Sequence, residues 1–139
     1  FSPNKNFPEI GSNIRGTEYD VAHNLYGGSW RMPSMEEIDE LLLCKREWTT
    51  INNIEGYRII GPNGNSIFLP ACGQYHSILK EVGVFGYYWT GSLYDKVYAW
   101  CFIFNNEENY NSLDEKVFNP YTRYRDRGYC IRAVLDEKK

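Results

Sequence analysis

Four cysteines, two histidines and several clusters of acid and amide side chains are the groups in this chain able to do covalent or metal chemistry. Cys44, Cys72, Cys101 and Cys130 never form a Cys-x-x-Cys pair, which argues against a zinc ribbon or a thioredoxin-type redox site. Four cysteines allow three fully paired connectivities, and buried free thiols are the alternative. Cys101 and Cys130 both fall in strand-like segments, so Cys101–Cys130 is the disulfide to expect first. A nucleophilic cysteine needs a base and an electropositive setting. Cys130, near Arg127 and Arg132, comes closest, although a structural role is the plainer expectation. His23 and His76 stand in no metal-ligand spacing. Asn105-Asn106-Glu107-Glu108-Asn109 offers the hard oxygen ligands that calcium takes, but such a run more often makes turn and water contacts. The residues therefore predict no metal, no cofactor and no enzyme.

Noncovalent chemistry is better represented. Aromatic residues make up 17% of the 139, and 12 of them are tyrosines. Tyrosine gives rigid, amphipathic contact area at low entropic cost and suits recognition surfaces, although strand-rich proteins also use it structurally. The net charge of −3 is spread without a basic block, so nothing suggests nucleic acid. No apolar run reaches the ~18 residues of a membrane-spanning helix. Phe1 in place of an initiator methionine suggests a processed or trimmed piece, with any leader, lipid anchor or parent chain lying outside it.

The elements that must position these groups can be read in order. Residues 1–16 read as an extended lead-in, 17–135 as one domain, and 136–139 as a solvated tail. Thr17 to Tyr26 predicts a short helix capped by Thr17, with Glu18 and Asp20 in its first turn and Gly27-Gly28 ending it. Ser34 and Glu37 form a capping box for a second helix. Ile38, Leu41 and Leu42 line its apolar side, with Glu36, Glu37, Asp39 and Glu40 facing water. Strands follow around Trp48–Ile51, Tyr57–Ile60 and Ser66–Leu69, the last two joined by a turn at Asn63-Gly64. Gly73–Gly83 reads as a polar loop, Tyr87–Ser92 and Val97–Phe104 as strands, and Gly128–Val134 as a buried closing strand. Asn105–Arg127 shows little periodicity. Trp30, Trp89 and Trp100 are expected in the core. Short helices followed by many strands predict an α+β domain.

Several segments together carry a family resemblance. They are Tyr19-Asp20-Val21-Ala22, Gly27-Gly28-Ser29-Trp30-Arg31-Met32-Pro33-Ser34, Trp48-Thr49-Thr50, Gly56-Tyr57, Gly64-Asn65-Ser66-Ile67-Phe68-Leu69-Pro70-Ala71, Gly86-Tyr87-Tyr88-Trp89-Thr90-Gly91-Ser92 and Gly128-x-x-Ile131-Arg132-x-Val134. In this order, from about Thr17 to Val134, they resemble the Fibrobacter succinogenes major paralogous domain family, abundant in Bacteroidetes-type bacteria. That resemblance implies a C-type lectin-like fold, with two short helices packed on small antiparallel sheets. It also implies an exported domain of a cell-surface protein or lipoprotein, at the outer membrane or beyond it.

In that fold the irregular segment before the last strand presents a surface. Here it would comprise Tyr94, Asp95, Asn105, Asn106, Asn109, Tyr110, Asn111, Tyr121, Arg123, Tyr124 and Arg125. Such a mixture combines stacking with adaptable hydrogen bonding and suits a surface protein or a glycan. Related folds also imply two competitors. One is an oxidase like the formylglycine-generating enzymes, which would need Cys101 and Cys130 close together; the other is a structural module of a larger, fimbria-like assembly. The Glu-Pro-Asn and Gln-Pro-Asp signatures of calcium-dependent sugar binding do not occur.

Overall fold

A computed structural model describes residues 11–112 and 115–135. It is a small α+β domain in which the described residues form few helices and several small antiparallel sheets. The predicted lead-in lies largely outside the described residues, and the tail at 136–139 entirely so.

Helix α1 spans Val21–Tyr26, its cap three residues later than the sequence suggests. The cap is Asp20 rather than Thr17, because a carboxylate at that position reaches donors on three sides. Asp20 is fully buried and accepts hydrogen bonds from the backbone N–H of Gly16 (2.8 Å), His23 (3.0 Å) and Met32 (3.0 Å). It thus ties the incoming chain, the helix and the segment after it to one side chain. Gly27, at φ 68°, ends the helix, as glycine's freedom at positive φ permits.

Strand β1 (Trp30–Arg31) leads into helix α2 (Met35–Leu42), which has the expected capping box. Ser34 Oγ accepts from the Glu37 N–H, and Glu37 Oε1 accepts from the Ser34 N–H. Ile38 is buried, with Leu41 and Leu42 packed beside it. Glu37 departs from the expected wet face: Arg31 grips its carboxylate with two hydrogen bonds, of 2.7 and 3.0 Å. Burial would raise the Glu37 pKa, but that grip and the Ser34 N–H outweigh it and hold the carboxyl below its ordinary value.

Two three-stranded meanders enclose the core. The first orders β2 (Lys45–Ile51), β3 (Ile54–Ile60) and β4 (Ser66–Pro70). The second orders β7 (Phe85–Leu93), β8 (Tyr98–Asn105) and β9 (Phe118–Tyr124). Asn52 and Asn53, at φ 52° and 66°, make the turn between β2 and β3. Between the meanders lie Tyr57, Ile59, Leu69, Tyr88, Phe102, Phe104 and Phe118, covered by Ile38 from α2. Gly86 belongs to this packing, because a Cβ there would collide with the Phe104 ring. The Tyr88 hydroxyl donates to the Pro70 carbonyl at 2.8 Å and fastens one meander to the other.

The expected loop at Gly73–Gly83 instead holds a hairpin, β5 (Gln74–His76) and β6 (Ile78–Lys80), turning at Ser77 with φ 68°. The expected closing strand at Gly128–Val134 is mostly irregular. Cys130 docks in parallel beside β7, donating to the Tyr87 carbonyl and accepting from the Trp89 N–H. Only β10 (Val134–Leu135) forms a strand there, paired antiparallel with β1. The Cys101–Cys130 pairing is also corrected. The disulfide joins Cys72 to Cys130 and leaves Cys44 and Cys101 free. The physical reason is that Cys130 is laid beside the chain leading from β4, while Cys101 is sealed within the second meander with no exposed surface. No helix of the described residues is long and apolar enough to cross a membrane.

Candidate functional site

Strand alternation gives the second meander two unlike faces. Tyr88, Phe102, Phe104 and Phe118 point into the core, whereas Tyr87, Cys101 and Ile103 cluster on the other side with Phe85, Trp89, Val117, Tyr121 and Tyr129. A pocket of about 340 Å³ opens on that outer face. Its walls include Gln74, Phe85, Tyr87, Tyr121, Arg123 and Tyr129, with Tyr124 and Arg127 beside them.

Tyr129 organises the aromatic part. Its ring stacks against Trp89 with centroids 4.4 Å apart and against Tyr87 at 4.9 Å. The Trp89 indole N–H donates to the Arg127 carbonyl at 3.1 Å, so the closing segment is pinned where Arg127 and Tyr129 reach the pocket. Arg123, on β9, lies over the Tyr121 ring at 4.9 Å, a cation–π contact. At the margin, Glu81 Oε1 accepts from Gln74 Nε2 (2.6 Å) and from the Tyr87 hydroxyl (3.0 Å). His76 Nε2 sits 3.9 Å from Asp126 Oδ2, and Arg127 Nε sits 3.6 Å from Asp126 Oδ1.

Burial pushes the Tyr129 hydroxyl up to about 12 and raises Tyr87 as well, with Glu81 adding to the rise at Tyr87. Both phenols stay protonated at neutral pH and serve as hydrogen-bonding surfaces. Burial also raises the Cys101 thiol to about 12, against the pull of Arg123. A protonated, enclosed thiol is a poor nucleophile. The oxidase reading needs Cys101 beside Cys130, whose sulfur is already bonded to Cys72.

The sequence-predicted residues divide among separate places. Tyr121, Arg123 and Tyr124 meet at the pocket. Tyr94, Asp95 and Arg125 gather at the turn between β7 and β8. There Asp95 Oδ1 accepts from the N–H groups of Val97 and Tyr98, and Arg125 Nη1 donates to the Lys96 carbonyl. The asparagines lie at the far end of β8, a strand of about 25 Å. Asn106 caps the 3-10 turn Glu107–Asn109 by accepting from the Glu108 N–H, with Tyr110 and Asn111 just beyond it. Asn105 is buried, 1% exposed, and its amide donates to the Glu115 carbonyl and accepts from the Val117 N–H. It is a clamp inside the protein rather than part of a surface.

Gln74, Phe85, Tyr87, Ile103, Val117, Arg127 and Tyr129 are the pocket residues the sequence did not single out. Tyr87-Tyr88-Trp89 and Cys101-Phe102-Ile103-Phe104 are apolar on both alternating faces, and such a pattern reads as wholly buried strand. The tryptophans show the same effect. Trp30 is 38% exposed against Tyr26, Trp89 belongs to the outer aromatic cluster, and Trp100 packs edge-on to Tyr94. Trp48, by contrast, packs on Tyr57 and Phe104.

Comparison of the chain with family models, with curated proteins and with solved structures gives no match.

Proposed function

We propose that this domain is an exported, non-enzymatic binding module of a bacterial surface protein or lipoprotein, built on a C-type lectin-like fold of the Fibrobacter succinogenes major paralogous type. The observation that carries the binding reading is the pocket on the outer face of the β7–β9 meander, where Tyr121 and Arg123 join Tyr87 and Tyr129. Aromatic walls with a few convergent polar groups are the usual makeup of a ligand site. The Cys72–Cys130 disulfide supports export, since such bonds persist in oxidising compartments. The fold reading is supported by the places of the motif residues: Asp20, Gly27, Ser34 and Gly86 each hold a structural corner.

A glycan and surface-protein binding screen, run with and without EDTA, tests this reading. Saturable binding that survives EDTA and is lost in the Tyr121→Ala/Tyr124→Ala double variant is the expected result. Undiminished binding by a folded double variant contradicts the site.

One observation favours the structural module as a second reading. Tyr75, Ile78, Leu79, Val82 and Val84 are all exposed around the β5–β6 hairpin, an apolar patch suited to a neighbouring module.

A further inference from the structure

We propose that the outer-face pocket takes a carboxylated sugar, a hexuronate unit of an acidic polysaccharide, and does so without a metal ion. This inference rests on the reading of that face as the binding surface and names the chemistry it would recognise.

Charge is the first argument. Arg123 is exposed, lies along the Tyr121 ring and donates a hydrogen bond to the neighbouring Thr122 carbonyl; no carboxylate among the described residues pairs with it. Arg127 lines the same pocket with Asp126 beside it, while the Glu81 carboxylate at the margin is engaged by Gln74 and the Tyr87 hydroxyl, which leaves Arg123 as the cation presented to a ligand. A guanidinium presented on an aromatic wall is suited to grip a carboxylate with two parallel hydrogen bonds.

Hydrogen-bonding capacity is the second. Gln74 is 8% exposed and spends its amide N–H on Glu81, which leaves its Oε1 buried with no donor. Arg127 Nε and Asp126 Oδ1 are also buried without a hydrogen bond, but they face each other as an ion pair at 3.6 Å. The set contains acceptors as well as a donor. A simple carboxylate only accepts and would leave Gln74 unmet, whereas a hydroxyl both donates and accepts. Gln74 and Arg127 both line the pocket. A sugar acid supplies the carboxylate and the hydroxyls on one ring.

Shape is the third. Phe85, Tyr121 and Tyr129, backed by the buried Tyr87, give aromatic walls suited to the C–H face of a pyranose, within a volume of about 340 Å³. A rigid ring also gives up less conformational freedom on binding than an acidic peptide of similar reach.

Calorimetry with EDTA present separates the terms. Oligogalacturonate and oligomannuronate are titrated into the full chain, alongside the same oligomers reduced at the carboxyl to neutral sugars. The acidic oligomers should bind, progressively more weakly as salt is raised, and the reduced ones at least about tenfold more weakly. Arg123→Gln should lower affinity for the acidic oligomers about tenfold or more and erase the preference, with the melting temperature unchanged. Arg123→Lys should recover part of the loss. Equal binding of acidic and reduced oligomers, or a preference that survives Arg123→Gln, overturns the carboxylate proposal while leaving the pocket as a sugar site. Failure of both acidic oligomers to bind overturns it as well. Acidic-oligomer binding untouched by Tyr121→Ala overturns the pocket reading itself.

Discussion

Asp20 ties three stretches of chain together, because one buried carboxylate satisfies backbone donors from each. Asp20→Ala removes the cap and strands those N–H groups away from water. We expect a loss of ~2–4 kcal/mol in urea unfolding, against the smaller cost of an ordinary surface cap. The thiols make a second test at this scale. Cys44 is half-buried and Cys101 fully so, with its pKa pushed up to about 12 by that burial. Ellman's reagent at neutral pH should therefore react with Cys44 in the folded protein and reach Cys101 only after denaturation. Rapid reaction of both in the folded state would contradict the enclosure of Cys101. The residue scale is also where the sequence misled most about the site. Asn105 and Asp95 resemble ligand contacts by type, yet their oxygens hold nearby backbone N–H groups. Type alone does not say whether a polar side chain faces outward or closes a turn.

Among the elements, those written by local chemistry were legible. The Ser34/Glu37 box starts α2 where expected, Gly27 ends α1, and Asn63-Gly64 lies in the loop joining β3 to β4. Elements defined by distant partners were not. β9 is an edge strand whose Pro120 interrupts the usual pattern, and an edge is where a strand tolerates proline. The closing segment is apolar because it docks against β7 and carries a disulfide, not because it enters a sheet. The start of α2 yields a pH prediction. The Glu37 carboxyl is held below its ordinary value, so the folded state binds its proton more weakly than the unfolded chain does. Its stabilising contribution is complete above the unfolded value and is lost as pH falls through the lower native value. Glu37→Gln should flatten that part of the acid limb of a stability-versus-pH curve. An unchanged limb would mean that the Arg31 grip is not maintained in solution.

For the whole molecule, the Cys72–Cys130 disulfide ties the exit of β4 to the segment that carries Arg127 and Tyr129. Its 58-residue separation gives a loop-closure contribution of ~4 kcal/mol in the chain-entropy picture. We expect reduction, or a Cys72→Ser/Cys130→Ser variant, to cost ~2–4 kcal/mol and to loosen the pocket along with the fold. Undiminished stability and binding after reduction would separate the bond from the site. The overall α+β class was legible because short helix signals precede many strand signals. The pocket was not, because it depends on Tyr129 lying beside Tyr87 and Trp89, an adjacency set by docking across the fold.

The most direct test of the binding surface is a backbone amide shift map of the full chain during titration with oligogalacturonate. The account predicts saturable shifts centred on Tyr121, Arg123, Arg127 and Tyr129, with the amides near Cys44 and Ile60 unmoved. Saturable shifts confined to the β5–β6 hairpin or to the surface around Cys44, with the β9 amides silent, would contradict it.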